Sequence, residues 1–136
     1  MSERIETVQP EGWAKPRGYS NGMVGRGRTL CVAGQIGWDG QGVFVGEDLV
    51  SQFGQALRNV VAVVEAAGGS AKDIVRLTIY VTDLDAYREN LKPIGAAYRE
   101  ALGKHFPAMA LLGVAGLVEP RAKVEIEATA LLEDPS

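Results

Sequence analysis

Val75-Arg76-Leu77-Thr78-Ile79-Tyr80-Val81 alternates without a break, with Val75, Leu77, Ile79 and Val81 on one side and Arg76, Thr78 and Tyr80 on the other. A period of two marks a half-buried strand. Upstream, Leu49, Phe53, Leu57, Val60 and Val64 share one face of a helix that opens at Asp48 and is stopped by Gly68-Gly69. A one-sided helix followed at once by a one-sided strand packs on a sheet, and that pairing decides the fold class.

Outward from this pair, Arg28 to Ile36 also alternates, with Leu30, Val32 and Ile36 opposed to Cys31, Ala33 and Gln35. It predicts a second strand. Tyr19 to Val24 followed by Gly25-Arg26-Gly27 predicts a short strand turning into it as a β-hairpin. These glycines lack the strand-to-helix setting and the Lys-Ser/Thr pair of a phosphate loop, so they read as turn chemistry. Downstream, Tyr87, Leu91, Ile94 and Tyr98 predict a helix that starts near Asp83 or Asp85 and ends at Gly103. Pro93 lies inside it and predicts a kink or break close to Lys92. Met109 to Val114 and Ala122 to Leu132 are further strands.

The order β-β-α-β-α-β-β predicts an α+β fold, with both helices on one face of a mixed sheet. The other face then carries Cys31, Ala33, Tyr80 and Leu111 or Leu112. Such a partly apolar surface predicts self-association.

At 136 residues the chain reads as one domain, residues 1–136. A formal charge of −3 and the lack of a basic stripe speak against nucleic acid as a partner. The N-terminus has no basic start followed by an apolar run, and no segment approaches the roughly 20 apolar residues of a membrane span. No membrane association and a cytoplasmic location are expected. One cysteine, Cys31, and one histidine, His105, give neither a disulfide nor a Cys/His cluster, so no metal and no cofactor is expected.

Several stretches together resemble the YjgF family, also called the reactive intermediate deaminase (Rid) family and, in older usage, the L-PSP endoribonucleases. They are Gly18-Tyr19-Ser20, Val32-Ala33-Gly34-Gln35-Ile36, Gln52-x-x-Gln55-Ala56-Leu57-x-Asn59-Val60, Glu65 to Gly69, Asp73 to Leu84, Phe106-Pro107-Ala108 and Val124 to Ala128. The resemblance spans nearly the whole chain. It implies a chorismate-mutase-like fold assembled as a homotrimer around a central barrel, with small-molecule pockets in the clefts between subunits. The activity it implies is hydrolysis of reactive imines and enamines.

That chemistry uses a cationic fork for the substrate carboxylate and a carboxylate that activates water. In the family's best-characterised subgroup an arginine follows Pro-Ala, and here that position is Met109. A neutral thioether cannot replace bidentate carboxylate recognition. The resemblance therefore implies a protein that is not a standard 2-imino acid deaminase, with Glu125 as the catalytic candidate. Tyr19 and Gly34 match pocket positions, and Leu111 stands where the family often has cysteine.

Each candidate has a plainer reading. Glu125 alternates with apolar residues and equally suits a solvated or ion-paired strand carboxylate. Tyr19 suits simple packing, Gly34 a close backbone approach, and Met109 an apolar lining. Arg17, two residues before Tyr19, is a candidate replacement cation, and Trp38 a candidate lid or cleft edge. His105 reads as a helix cap or surface group, and Arg121 as a solvated turn residue. Three functions stay open: an imine or enamine hydrolase acting through Glu125, a small-molecule binding or regulatory trimer without turnover, and an endoribonuclease, which the charge disfavours.

Overall fold

The computed structural model describes residues 3–135. Six strands and three α-helices follow in the order β1 (Ile5–Val8), β2 (Gly22–Gly25), β3 (Arg28–Gln35), α1 (Leu49–Ala66), β4 (Ile74–Val81), α2 (Leu84–Glu89), α3 (Leu91–Leu102), β5 (Ala108–Gly113) and β6 (Val124–Leu132), with a 3-10 turn at Ala71–Asp73 before β4. The main sheet has the order β3-β6-β4-β5. Only β4 and β5 run parallel, so the sheet is mixed and the fold is α+β.

α1 begins where its sequence says it should. Asp48 caps it by accepting the Ser51 amide at 2.9 Å, and this bond to the ionised form holds the Asp48 carboxyl below its ordinary pKa. At the other end Gly68 takes φ +92°, and the Gly68 and Gly69 amides turn back to the carbonyls of Glu65 and Val64. The buried face of α1 carries Phe53, Leu57, Val60 and Val64, packed with Leu77, Ile79 and Val81 of β4 and Val124, Ile126 and Ala128 of β6. α3 lies beside α1 and adds Ile94, Tyr98 and Leu102 to the same core. α1 and α3 therefore cover one face of the sheet and leave the other open.

Three sequence-based expectations need correction. First, the strand before Gly25-Arg26-Gly27 does not form a hairpin with β3. β2 pairs antiparallel with β1, while β3 pairs with β6. The turn itself is real, since Gly27 has φ +138° and a Cβ there would meet the Leu132 carbonyl oxygen at 2.1 Å. Beside this turn the Arg4 guanidinium donates to the Arg26 and Leu131 carbonyls, both at 2.8 Å, and ion-pairs with Asp73. Second, β1 adds a strand ahead of the expected order. Glu6, Thr7 and Val8 are exposed, so no burial periodicity announces it. Third, the alternation of β4 does not extend to Val75, because a register shift between Ile74 and Arg76 puts Ile74 in the core in its place. The second helix breaks at Asn90, close to Lys92 as expected. Asn90 separates α2 from α3, which places Pro93 in the first turn of α3, where a missing amide costs no helical bond.

The open face carries Cys31, Arg76, Thr78, Tyr80, Glu125, Glu127, Thr129 and Leu112, by register with one another across β3, β6, β4 and β5. Of the two leucines considered for it, Leu112 is the one there, 44% exposed. Leu111 turns to the helix side.

Candidate functional site

A cavity of about 540 Å³ opens between α3, α2, β5 and the segment before β2. Its volume suits a small-molecule pocket. Four residues singled out from the sequence line it together: Arg17, Tyr19, Met109 and Leu111.

Local chemistry explains how they meet. Gly18, at φ +77°, makes a turn that a side chain would strain, and it delivers Tyr19 to the cavity mouth. Ser20 then anchors the segment, its amide donating to the Pro107 carbonyl at 3.1 Å and its hydroxyl to the Phe106 carbonyl at 2.5 Å. This stitch fixes Tyr19 beside β5. Within β5, Met109 and Leu111 pair with Leu77 and Ile79, which places them on the helix side of the sheet. One wall is the Tyr98–Phe106 stack, with ring centroids 5.4 Å apart and planes 4° from parallel. The Tyr98 hydroxyl is spent on the His105 carbonyl at 2.7 Å, and burial pushes its pKa up. Tyr87 also lines the cavity, and burial raises its pKa as well, so the phenol stays a neutral donor at physiological pH.

Among the described residues, the cavity lining has two cations and no carboxylate. The second cation, Arg99, is one that the sequence reading does not single out. Its signal was present: Leu91, Gly95 and Arg99 recur every four residues and share a face with Ile94 and Tyr98. Neither Arg17 nor Arg99 takes part in an ion pair among the described residues, unlike Arg4, Arg88 and Arg121.

Glu125 and Gly34 form a separate group. A bulge in β3 lets three steps from Val32 to Gln35 span the two from Ala128 to Ile126, and Gly34 falls there against Glu125. Glu125 pairs with Tyr80 across β4 and β6. One pair along, the Tyr80 hydroxyl donates to Glu127 at 2.6 Å, and that bond to a carboxylate raises the Tyr80 pKa. These groups lie on the open face. Met109 and Glu125 therefore sit on opposite faces of one sheet.

Trp38 joins neither group. It packs on Phe44 with centroids 5.8 Å apart, while its carbonyl accepts from Asn59 at 2.7 Å, and Arg121 lies over Phe44 and pairs with Glu47 at 2.9 Å. Arg121 is thus engaged despite its exposure. His105 is half-buried, and its Nε2 donates to the Ile74 carbonyl at 2.7 Å, which marks it as a structural link. Among the described residues no three His, Cys, Asp or Glu side chains gather as metal ligands, and no helix is long and apolar enough to cross a membrane.

Comparison with known proteins gives a consistent result. Residues 13–132 match the family model described as Endoribonuclease L-PSP. The 2-iminobutanoate/2-iminopropanoate deaminase of Salmonella typhimurium is 38% identical over 134 residues, covering 96% of this chain and 98% of the relative. The crystal structure of YyfB from Yersinia pestis, described as a protein of unknown function of the conserved Rid family, superposes with a TM-score of 0.85 at 35% identity, covering 96% of this chain and 100% of that one. TdcF of Escherichia coli, solved with bound serine, superposes with a TM-score of 0.67 at 32% identity, covering 97% and 100%. The chain belongs to the YjgF/Rid family.

Proposed function

We propose that this protein hydrolyses a small reactive imine or enamine in a site shared between two copies of the chain, as part of a homotrimer. The observation that carries this reading is the opposition of Met109 and Glu125. Side chains on opposite faces of a sheet cannot reach one substrate, so a site with both needs the cavity side of one copy and the open face of another. The exposed Leu112, Cys31 and Ala33 support association through that face. Relatives named as 2-iminobutanoate/2-iminopropanoate deaminases support the reaction class.

In this mechanism Tyr19, Met109 and Leu111 of one copy hold the substrate, and Glu125 of the next, beside Gly34, accepts a proton from water as it attacks the imine carbon. The oxygen–carbon bond forms as the carbon–nitrogen π bond opens. Glu125 then returns the proton to the nitrogen to give a carbinolamine, and in a second transfer passes the hydroxyl proton to that nitrogen, so that the carbon–nitrogen bond breaks, ammonia leaves and the carbonyl forms. Met109 makes the site unsuited to a carboxylate directly beside the reacting carbon.

The test compares imines generated in situ by an amine oxidase, which lack that carboxylate, with those from an amino acid oxidase. Faster hydrolysis of the first class, lost in Glu125→Gln, is the expected result. Acceleration that survives Glu125→Gln overturns the role of Glu125. No acceleration of either class favours the second reading, a binding trimer without turnover, which the apolar lining around Met109 supports. An endoribonuclease has the least support, since the net charge is −3 and the one imidazole is committed to the Ile74 carbonyl.

A further inference from the structure

The cavity combines two features that no single role for Met109 explains. Its walls are apolar and aromatic: Phe53, Ile79, Ile94, Phe106, Met109 and Leu111. Yet Arg17 and Arg99, from two unconnected segments, line the same cavity, and no acidic side chain among the described residues lines it to balance them. Both are outside ion pairs among the described residues. Unopposed guanidinium groups beside an apolar cavity make a site for a matching anion, because the planar fork binds carboxylates in two-point fashion.

From this charge pattern we infer that the cavity is a binding site for carboxylates with a bulky aryl or branched-alkyl body, held by Arg17 and Arg99 at the charged end and by the Tyr98–Phe106 wall and Met109 along the apolar part. This deepens the proposed function and rests on it for the ligand's role as substrate. The charge of the ligand is separated from the position of Met109 by its apolar body. Short 2-imino acids lack the body that would span this arrangement. Met109 and Arg99 then act as specificity determinants: one accepts apolar surface, and the other supplies charge from α3.

The sequence provides a probe. Its three methionines, Met1, Met23 and Met109, give three ε-methyl signals in protein labelled with ¹³C-methyl methionine, and Met109→Leu assigns the one in the cavity. The titrants are 3-phenylpropionate, its uncharged counterpart 3-phenylpropan-1-ol, and propionate, which has the charge without the ring. The acid is expected to shift the Met109 methyl through the ring's field and to bind at least about tenfold more tightly than the alcohol, the scale of one charge-assisted hydrogen bond. Arg17→Ala with Arg99→Ala should bring the acid down to the alcohol's affinity and leave the alcohol unchanged. Both arginines are exposed, so these variants keep the fold.

Equal affinity for acid and alcohol, an acid affinity untouched by the double substitution, or no response of the Met109 methyl to the acid overturns the inference. The catalytic reading fails separately. If 3-phenylpropionate binds as expected but Glu125-dependent hydrolysis is absent, the site stands and the enzyme does not. If hydrolysis depends on Glu125 while acid and alcohol bind alike, the enzyme stands and the anionic anchor does not.

Discussion

Glu125 occupies the space that a side chain on Gly34 would need: a Cβ there would stand 2.5 Å from Oε2 and 2.8 Å from Cγ. The glycine is therefore a condition for where the carboxylate rests. Gly34→Ala forces Glu125 into another rotamer on the open face without touching the helix-side core. The expected result is a fall of tenfold or more in kcat for imine hydrolysis, on the order of the contribution of a positioned general base, with KM little changed. Urea denaturation should show a stability change below about 1 kcal/mol, as for a substitution outside the core.

Gln52 is a second polar group whose role is local and strong. It is fully buried, donates to the Gly46 and Arg121 carbonyls at 3.0 and 3.1 Å, and accepts the Lys123 amide at 2.8 Å. Gln52→Leu keeps the size and leaves three backbone groups unpaired. A loss of about 3 kcal/mol or more is expected from unsatisfied buried groups, read as a lower urea midpoint. An unchanged midpoint would mean that water replaces all three bonds.

Asp48 gives a prediction in pH. Its carboxyl is held below its ordinary pKa by the Ser51 amide, so its contribution is present above the unfolded value and fades as pH falls through the folded one. Asp48→Ala should cost about 1 kcal/mol near neutrality, the usual size of an N-cap. The gap between the wild type and the variant should narrow progressively below about pH 4. A gap that stays constant to lower pH would show that the cap acts through something other than the ionised carboxylate.

The parts of the fold that were legible in the sequence are those where burial imposes a period. The alternation of Leu77 to Val81, the apolar stripe of Leu49 to Val64 and the caps at Asp48, Asp83 and Gly103 have direct structural counterparts, whereas Val75 is put out of phase by the register shift between Ile74 and Arg76. β1 was invisible because its side chains are mostly exposed, and the partner of β2 was misread because that partner is β1 itself. Arg17, Tyr19, Met109 and Leu111 were each legible as candidates and do share a cavity. Their separation from Glu125 and Gly34 was not, because it depends on the phase of two strands relative to each other, set by register across the sheet. Trp38 read as a lid candidate because loop aromatics are conspicuous, whereas here its ring packs on Phe44 and lies outside the cavity lining.

The central claim is that this chain keeps a Rid-type site while Met109 has removed its anchor for a carboxylate beside the reacting carbon. The most direct measurement is the rate of 2-iminopropionate hydrolysis, generated in situ by an amino acid oxidase, for the wild type, Met109→Arg, and Met109→Arg combined with Glu125→Gln. The wild type should stay at the uncatalysed rate, Met109→Arg should accelerate the reaction, and adding Glu125→Gln should abolish the gain. Robust hydrolysis by the wild type, lost in Arg17→Ala, would contradict the claim, because another cation would then hold the same carboxylate that Met109 is said to exclude.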